Sequence, residues 1–216
     1  SGSSPSGSTV QARLSSARVE TSYHVIMLNM RLVILGMDPG LRVTGYGVIE
    51  ATQAGPRVCE AGVIRPVLKG RQIDLPDRLR LLYESLIELI EQFHPSVLAV
   101  EQLYSHYKHP RTAILMGHAR GVLLLAGAKS GLTIRSYSST TIKKTITGSG
   151  RAPKLQVQHA VQRELRLTKL PEPPDVADAL AVALCEYHCR DRSSLSPSPL
   201  SRKRPASKSV TEITDD

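Results

Sequence analysis

Residues 31–50 read RLVILGMDPGLRVTGYGVIE. RLVILGM (31–37) is a short apolar run ended by Pro39-Gly40, the pattern of a buried strand stopped by a turn. TGYGVIE (44–50) follows that tight turn, so the two segments pair as a hairpin. A third strand is expected over VCEAGVIR (58–65). Beyond it, DLPDRLRLLYESLIELIEQF (74–93) sets Leu or Ile at 79, 82, 86, 89 and 90, the spacing of an amphipathic helix. SVLAVE (96–101) is another apolar strand, a helix spans 110–129, and LTIRSY (132–137) makes a fifth strand. SSTTIKKTI opens with Ser/Thr capping candidates and forms a short helix. A Gly-Ser-Gly loop at 148–150 leads into a helix over APKLQVQHAVQREL, and the last helix lies in EPPDVADALAVALCEY (172–187).

Three strands in meander, then helix–strand–helix–strand–helices, predict an α/β fold. The expected sheet is mixed and five-stranded, with its first three strands antiparallel, its later strands parallel to the first, and helices flanking it. Residues 31–190 read as one domain. Residues 1–30, rich in Ser and Gly, and 191–216, containing SSLSPSPLSRKRPASKS, read as disordered extensions.

Composition narrows the function classes. The chain has 216 residues, 41% of them hydrophobic, enough for a core. No apolar run approaches the roughly 18 residues of a membrane span, so a soluble protein is expected. Three cysteines without disulfide or zinc spacing predict packed thiols in a reducing compartment. His106, His109 and His118 show no metal-binding spacing. The net charge of +9 is concentrated: Lys129 to Lys169 holds nine Lys or Arg against Glu164 alone. A polyanionic partner and a merely solvated surface both explain such a segment.

The last helix poses a chemical question. Asp175 and Asp178 fall three apart on one face, and no other polar side chain occurs from Val176 to Cys185. A carboxylate on an apolar face costs several kcal/mol unless it is paired or neutralised. Helix capping accounts for one of the two, Asp175 more readily than Asp178, but not comfortably for both. Asp38 ends the first strand and Glu101 ends the fourth. Turn chemistry and a solvated strand end are the plain explanations. If those strands are parallel neighbours, however, both carboxylates emerge at one sheet edge, where α/β sheets form their sites. Three or four converging carboxylates repel one another unless divalent cations sit between them. Oxygen-only ligation favours Mg²⁺ or Mn²⁺, and two such ions would stabilise the attacking and leaving oxygens of a phosphoryl displacement. Beside a basic segment, this set points to a metal-dependent nuclease.

LGMDPGLRVTGYGVIE, LAVEQLY, GHARGV and DVADALAVAL, in order between Leu32 and His188, resemble the RuvC family of crossover (Holliday) junction endodeoxyribonucleases. The resemblance implies a ribonuclease H-like fold and a bacterial, cytoplasmic homodimer. It also implies symmetric nicking of two strands of a four-way DNA junction in recombination and repair, with the RuvA–RuvB branch-migration complex as partner. It places the family's acidic residues on Asp38, Glu101, Asp175 and Asp178, holding two Mg²⁺ per site with Mn²⁺ as substitute. Some members carry His at the position of Asp175. The family's inserting aromatic falls on Tyr104, which on its own would read as an ordinary half-buried tyrosine, and its DNA-contacting lysines fall on Lys143 and Lys154. Lys144 and Arg151 extend that phosphate grip. Arg111 and Lys108 are open to either phosphate contact or a solvated helix start, and Gly148-Ser149-Gly150 to a phosphate approach or a plain connector. Ribonuclease H-like ATPases and sugar kinases share the Asp-x-Gly hairpin but need a second Gly-rich phosphate loop, not found here. A related nuclease acting on structured RNA and a non-catalytic junction-binding module remain as alternatives.

Overall fold

The computed structural model describes residues 31–40, 43–65, 74–103 and 110–194. The elements run in the expected order. Strands β1 (Val33–Asp38), β2 (Thr44–Thr52) and β3 (Gly55–Ile64) precede helix α1 (Leu75–Phe93), strand β4 (Val97–Glu101) and helix α2 (Pro110–Lys129). Strand β5 (Thr133–Tyr137) follows, then helices α3 (Ser139–Thr147), α4 (Lys154–Glu164) and α5 (Pro174–Ser194). The sheet order is β3-β2-β1-β4-β5. β1–β2 and β2–β3 pair antiparallel, while β1–β4 and β4–β5 pair parallel. This is the mixed sheet anticipated from the sequence.

β1 and β4 read as unbroken apolar runs because they lie inside the sheet and both their faces are covered. The period of two sorts their side chains into two cores. Val33, Leu35, Met37, Leu98 and Val100 face α1 and α2, with Leu82, Leu86, Leu89 and Leu123. Ile34, Val97 and Ala99 face the opposite layer, with Val157 and Val161 of α4 and Leu180 to Leu184 of α5. Local signals fix the helix ends. Asp74 caps α1 by accepting from the Asp77 N–H at 3.1 Å, and α1 ends at left-handed His94. Ser138 caps α3 by accepting from Thr141 N–H at 3.1 Å. Gly148, with φ 81°, closes α3, so the 148–150 segment serves as a helix stop and connector.

Two expectations change at α5. The helix starts at Pro174, so Asp175 lies inside its first turn, not at the cap position. Pro173 precedes the helix, and its carbonyl accepts from Val176 N–H at 2.9 Å. The helix also continues to Ser194, four residues past the expected domain edge at 190. Cys185 is buried and Cys59 and Cys189 are half-buried, all as free thiols, in keeping with a packing role. Burial pushes the Cys185 thiol up to about 12, the shift of an inert core cysteine.

α5 approaches the sheet more closely than ordinary side chains permit. A Cβ on Gly36 of β1 would collide with the Ala179 carbonyl oxygen and lie 2.6 Å from Ala183 N. A Cβ on Gly45 of β2 would collide with the Asp175 carbonyl oxygen. Glycine on the strands and alanine on the helix therefore set the interlayer distance. Farther along α5, buried Glu186 accepts a hydrogen bond from Tyr137 of β5. Its Oε1 has Arg190 Nε at 3.1 Å, outside hydrogen-bond alignment, so charge and not a directed bond compensates it.

Gly36→Ala is expected to destabilise the protein by roughly 1–3 kcal/mol or more, because backbone atoms of α5 must move. Gly127→Ala meets the far end of the Leu98 side chain instead, at 2.6 Å, and should cost less. Urea midpoints of the two variants check that ordering, and equal midpoints would contradict the close-packing account.

Candidate active site

The alternation that builds the cores also aims the carboxylates. Asp38 continues the Ile34–Gly36 face of β1, and Glu101 continues the Val97–Ala99 face of β4. The parallel register pairs Met37 with Val100, so Asp38 and Glu101 are each one residue further at the carboxyl ends of adjacent strands. Both therefore emerge on the side covered by α5. There Asp178 lies one turn into the helix and comes to the same point. Asp38, Glu101 and Asp178 line one cavity of about 250 Å³ together with Ser139, Ile142, Lys143, Lys154, Val157 and Ala181.

The electrostatics are those of crowded carboxylates. Burial pushes the Asp38 carboxyl up to about 7, and the charges of Glu101, Asp178 and Asp175 add to the shift while Lys154 offsets part of it. Burial, followed by Asp178, also raises Glu101; a hydrogen bond from Ser139 and the charges of Lys143 and Lys154 pull it back. Lys154 Nζ lies 2.6 Å from Asp178 Oδ2. Partial burial works against its charge, but the hydrogen bond and charge of Asp178, with Asp175 and Asp38 behind it, raise its pKa overall.

Asp175 does not line the cavity. Its backbone rests against Gly45, the cross-strand partner of Asp38, close enough for its charge to raise Asp38. Among the described residues, no three carboxylate, His or Cys side chains already close around a common point. Asp178 is instead held by Lys154. The donor set still suits a hard divalent cation: oxygen ligands only, mutually repelling, on a cavity that holds a small ion and water. Removing the repulsion takes positive charge, which Lys154 supplies in part and a cation would supply more fully.

Of the expected phosphate-binding residues, Lys143 and Lys154 line the cavity, while Lys144 and Arg151 are exposed outside it. Tyr104, His106, Lys108 and His109 lie outside the described residues, as does the Arg111 side chain. His118 bonds through Nδ1 to the Ile114 carbonyl at 2.8 Å, a local helix contact. Ser139 is the site residue that sequence reasoning missed. The pair Ser138-Ser139 read as a cap; the first serine caps α3, and the second turns its hydroxyl to Glu101.

Comparison with known proteins gives the same picture. The sequence profile described as "Crossover junction endodeoxyribonuclease RuvC" matches residues 34–186. A protein of that name from Rhodopirellula baltica is 52% identical over 158 residues, 72% of this chain and 85% of that protein. One from Shewanella amazonensis is 44% identical over 156 residues, 72% of this chain and 87% of its own length. Thermus thermophilus RuvC superposes with a TM-score of 0.66 at 28% identity, covering 74% of this chain and 97% of that one. The same protein in complex with a Holliday junction substrate superposes at 0.65 and 26% identity, covering 74% and 96%. The ribonuclease H-like sheet, the strand-end carboxylates and these relationships lead to one conclusion: the chain belongs to the RuvC family of crossover junction endodeoxyribonucleases.

Proposed function

We propose that this protein resolves four-way DNA junctions by hydrolysing one phosphodiester bond in each of two symmetric strands, with Asp38, Glu101 and Asp178 as metal ligands and Asp175 as an auxiliary carboxylate. The observation that carries the reading is the meeting of Asp38, Glu101 and Asp178 beside Lys143 and Lys154 in one cavity. The cations are Mg²⁺, two per site, with Mn²⁺ as substitute. When bound, they supply Lewis acidity to the scissile phosphate and lower the pKa of the attacking water.

The chain's own residues do the rest. Asp38 and Glu101, fixed on sheet ends, set the reference frame for the phosphate. Asp178 joins them when Lys154 exchanges its carboxylate partner for phosphate, which places the ammonium against the charge that develops during cleavage. Lys143 neutralises from α3. Lys144 and Arg151, exposed beyond the cavity, grip neighbouring phosphates and give binding that weakens with salt. Tyr104 stacks on an unpaired base near the junction centre. Arg111 adds a phosphate contact.

Two symmetric cuts call for two sites, hence a homodimer. A shallow apolar depression lined by Leu79, Ile114, Val122 and Leu125 supports this; it lies on the α1–α2 layer, across the sheet from the cavity. Ile114 is 62% and Leu125 56% exposed, unusual for large apolar side chains. Domain 31–190 carries the catalytic machinery, and partnership with a RuvA–RuvB branch-migration complex in the bacterial cytoplasm completes the reading. Among the described residues, no helix is long and apolar enough to cross a membrane.

Incubation with a synthetic four-way junction and Mg²⁺ should give paired nicks at symmetric positions, with duplex RNA left intact. Asp38→Asn, Glu101→Gln and Asp178→Asn should each abolish nicking while junction binding persists; retained cleavage by Asp38→Asn would sink the assignment. The double variant Ile114→Glu/Leu125→Glu should sediment as a monomer, and a persistent dimer would move the interface elsewhere.

The raised Asp38 carboxyl also sets a pH dependence. In the unfolded chain this group loses its proton near 3.8, and in the folded protein near 7. The folded state therefore binds the extra proton between those values, and stability from this group falls as pH rises through that window. Without metal, Asp38→Asn should melt a few degrees above the parent protein at about pH 8 and show little gain at about pH 4. Mg²⁺ should raise the melting temperature of the parent protein more at the higher pH. A gain from Asp38→Asn that does not vary with pH counts against the crowded-carboxylate account.

A further inference from the structure

Arg120 lies on α2, on the sheet face opposite the cavity, yet it reaches the strand end that carries Glu101. Its Nε donates to the Glu101 backbone carbonyl at 3.3 Å, and an Nη donates to Ser136 Oγ at 2.8 Å. The acceptors belong to the carboxyl ends of two neighbouring strands, β4 and β5. Gln102 crosses the same gap. Its backbone N–H donates to the Tyr137 carbonyl at 2.8 Å and its side-chain amide to the Ser136 carbonyl at 3.3 Å. From Tyr137 the chain passes through the Ser138 cap directly into α3, which carries Ser139 and Lys143 to the cavity. The relative position of these strand ends therefore sets where Glu101 stands against Ser139 and Lys143, which line the same cavity. A guanidinium suits this bridge, because its planar set of five donors can hold two acceptors on different elements at once.

We propose that Arg120 is a positioning residue for the nuclease reaction, fastening the ends of β4 and β5 so that Glu101 meets Ser139 and Lys143 in the cavity. The inference rests on the reading of Glu101 as a metal ligand. Groups that orient ligands from behind typically matter by 10–100-fold in metal affinity or activity.

The test uses the full chain and the variants Arg120→Gln, Arg120→Lys, Ser136→Ala and Glu101→Gln. Mn²⁺ affinity is read from loss of the free-ion paramagnetic resonance signal. The Mg²⁺ concentration for half-maximal single-turnover cleavage of a four-way junction is measured beside it, together with junction affinity in chelator. Arg120→Gln should weaken Mn²⁺ binding and raise the Mg²⁺ requirement by about tenfold or more, with junction affinity unchanged. Ser136→Ala should move both in the same direction by less, and Arg120→Lys should recover part of the loss. A lowered melting temperature with unchanged Mn²⁺ affinity and Mg²⁺ requirement overturns the proposal, since it marks a purely structural arginine. Should Arg120→Gln not fold, unchanged Mn²⁺ affinity in Ser136→Ala overturns it equally. Full cleavage by Glu101→Gln defeats the ligand reading itself, whereas an inactive Glu101→Gln beside a parent-like Arg120→Gln defeats only the role of Arg120.

Discussion

The contact on which the rest of the molecule depends is backbone against backbone: α5 lying on β1 and β2 with only hydrogen and methyl groups between. Gly36 and Gly45 supply no side chain, and Ala179 and Ala183 supply the smallest. This proximity lets Asp178 reach the ends of β1 and β4 with a short side chain. A helix packed at an ordinary distance, over valine or leucine, would hold the same carboxylate several ångströms from its partners. Close packing here is the means by which an acidic residue on a helix joins acidic residues on a sheet.

Electrostatic tension follows from that geometry. Folding brings like charges together on desolvated strand ends, and the apolar layers around them supply the free energy that tolerates it. Lys154 relieves the tension at Asp178, and the Ser139 hydroxyl and Lys143 relieve it at Glu101. Asp38 has the least relief: burial is the main cause of its raised pKa, and three neighbouring carboxylates add to it. The site is thus poised to take up positive charge, whether a proton, an ammonium or a divalent cation.

Much of this was legible in the sequence. The unbroken apolar runs of β1 and β4 announced inner strands, and the meander followed by alternating helices announced their parallel pairing. Once β1 and β4 are neighbours, period-two alternation places Asp38 and Glu101 on one face without further information. The capping chemistry of α5 was not legible, because Pro-Pro-Asp admits a helix start at any of three positions and the first turn settled around Pro174. Nor was the division of labour between Ser138 and Ser139, which depends on where Glu101 sits in space and not on any local pattern. Arg120 escaped for the same reason: its acceptors, a backbone carbonyl and a serine hydroxyl, leave no pattern in the sequence.

Asp38 stands at the end of the first described strand, and Asp178 near the start of the last helix. The carboxylate cavity therefore cannot close until nearly the whole domain has been synthesised. A chain that stops short of residue 174 has Asp38 and Glu101 but neither the helix that covers them nor the third carboxylate of the cavity. Such long-range closure slows folding, because distant segments must meet before their contacts stabilise them. Under the proposed function, a product of translation interrupted before α5 would therefore lack a complete carboxylate set and cut no junction.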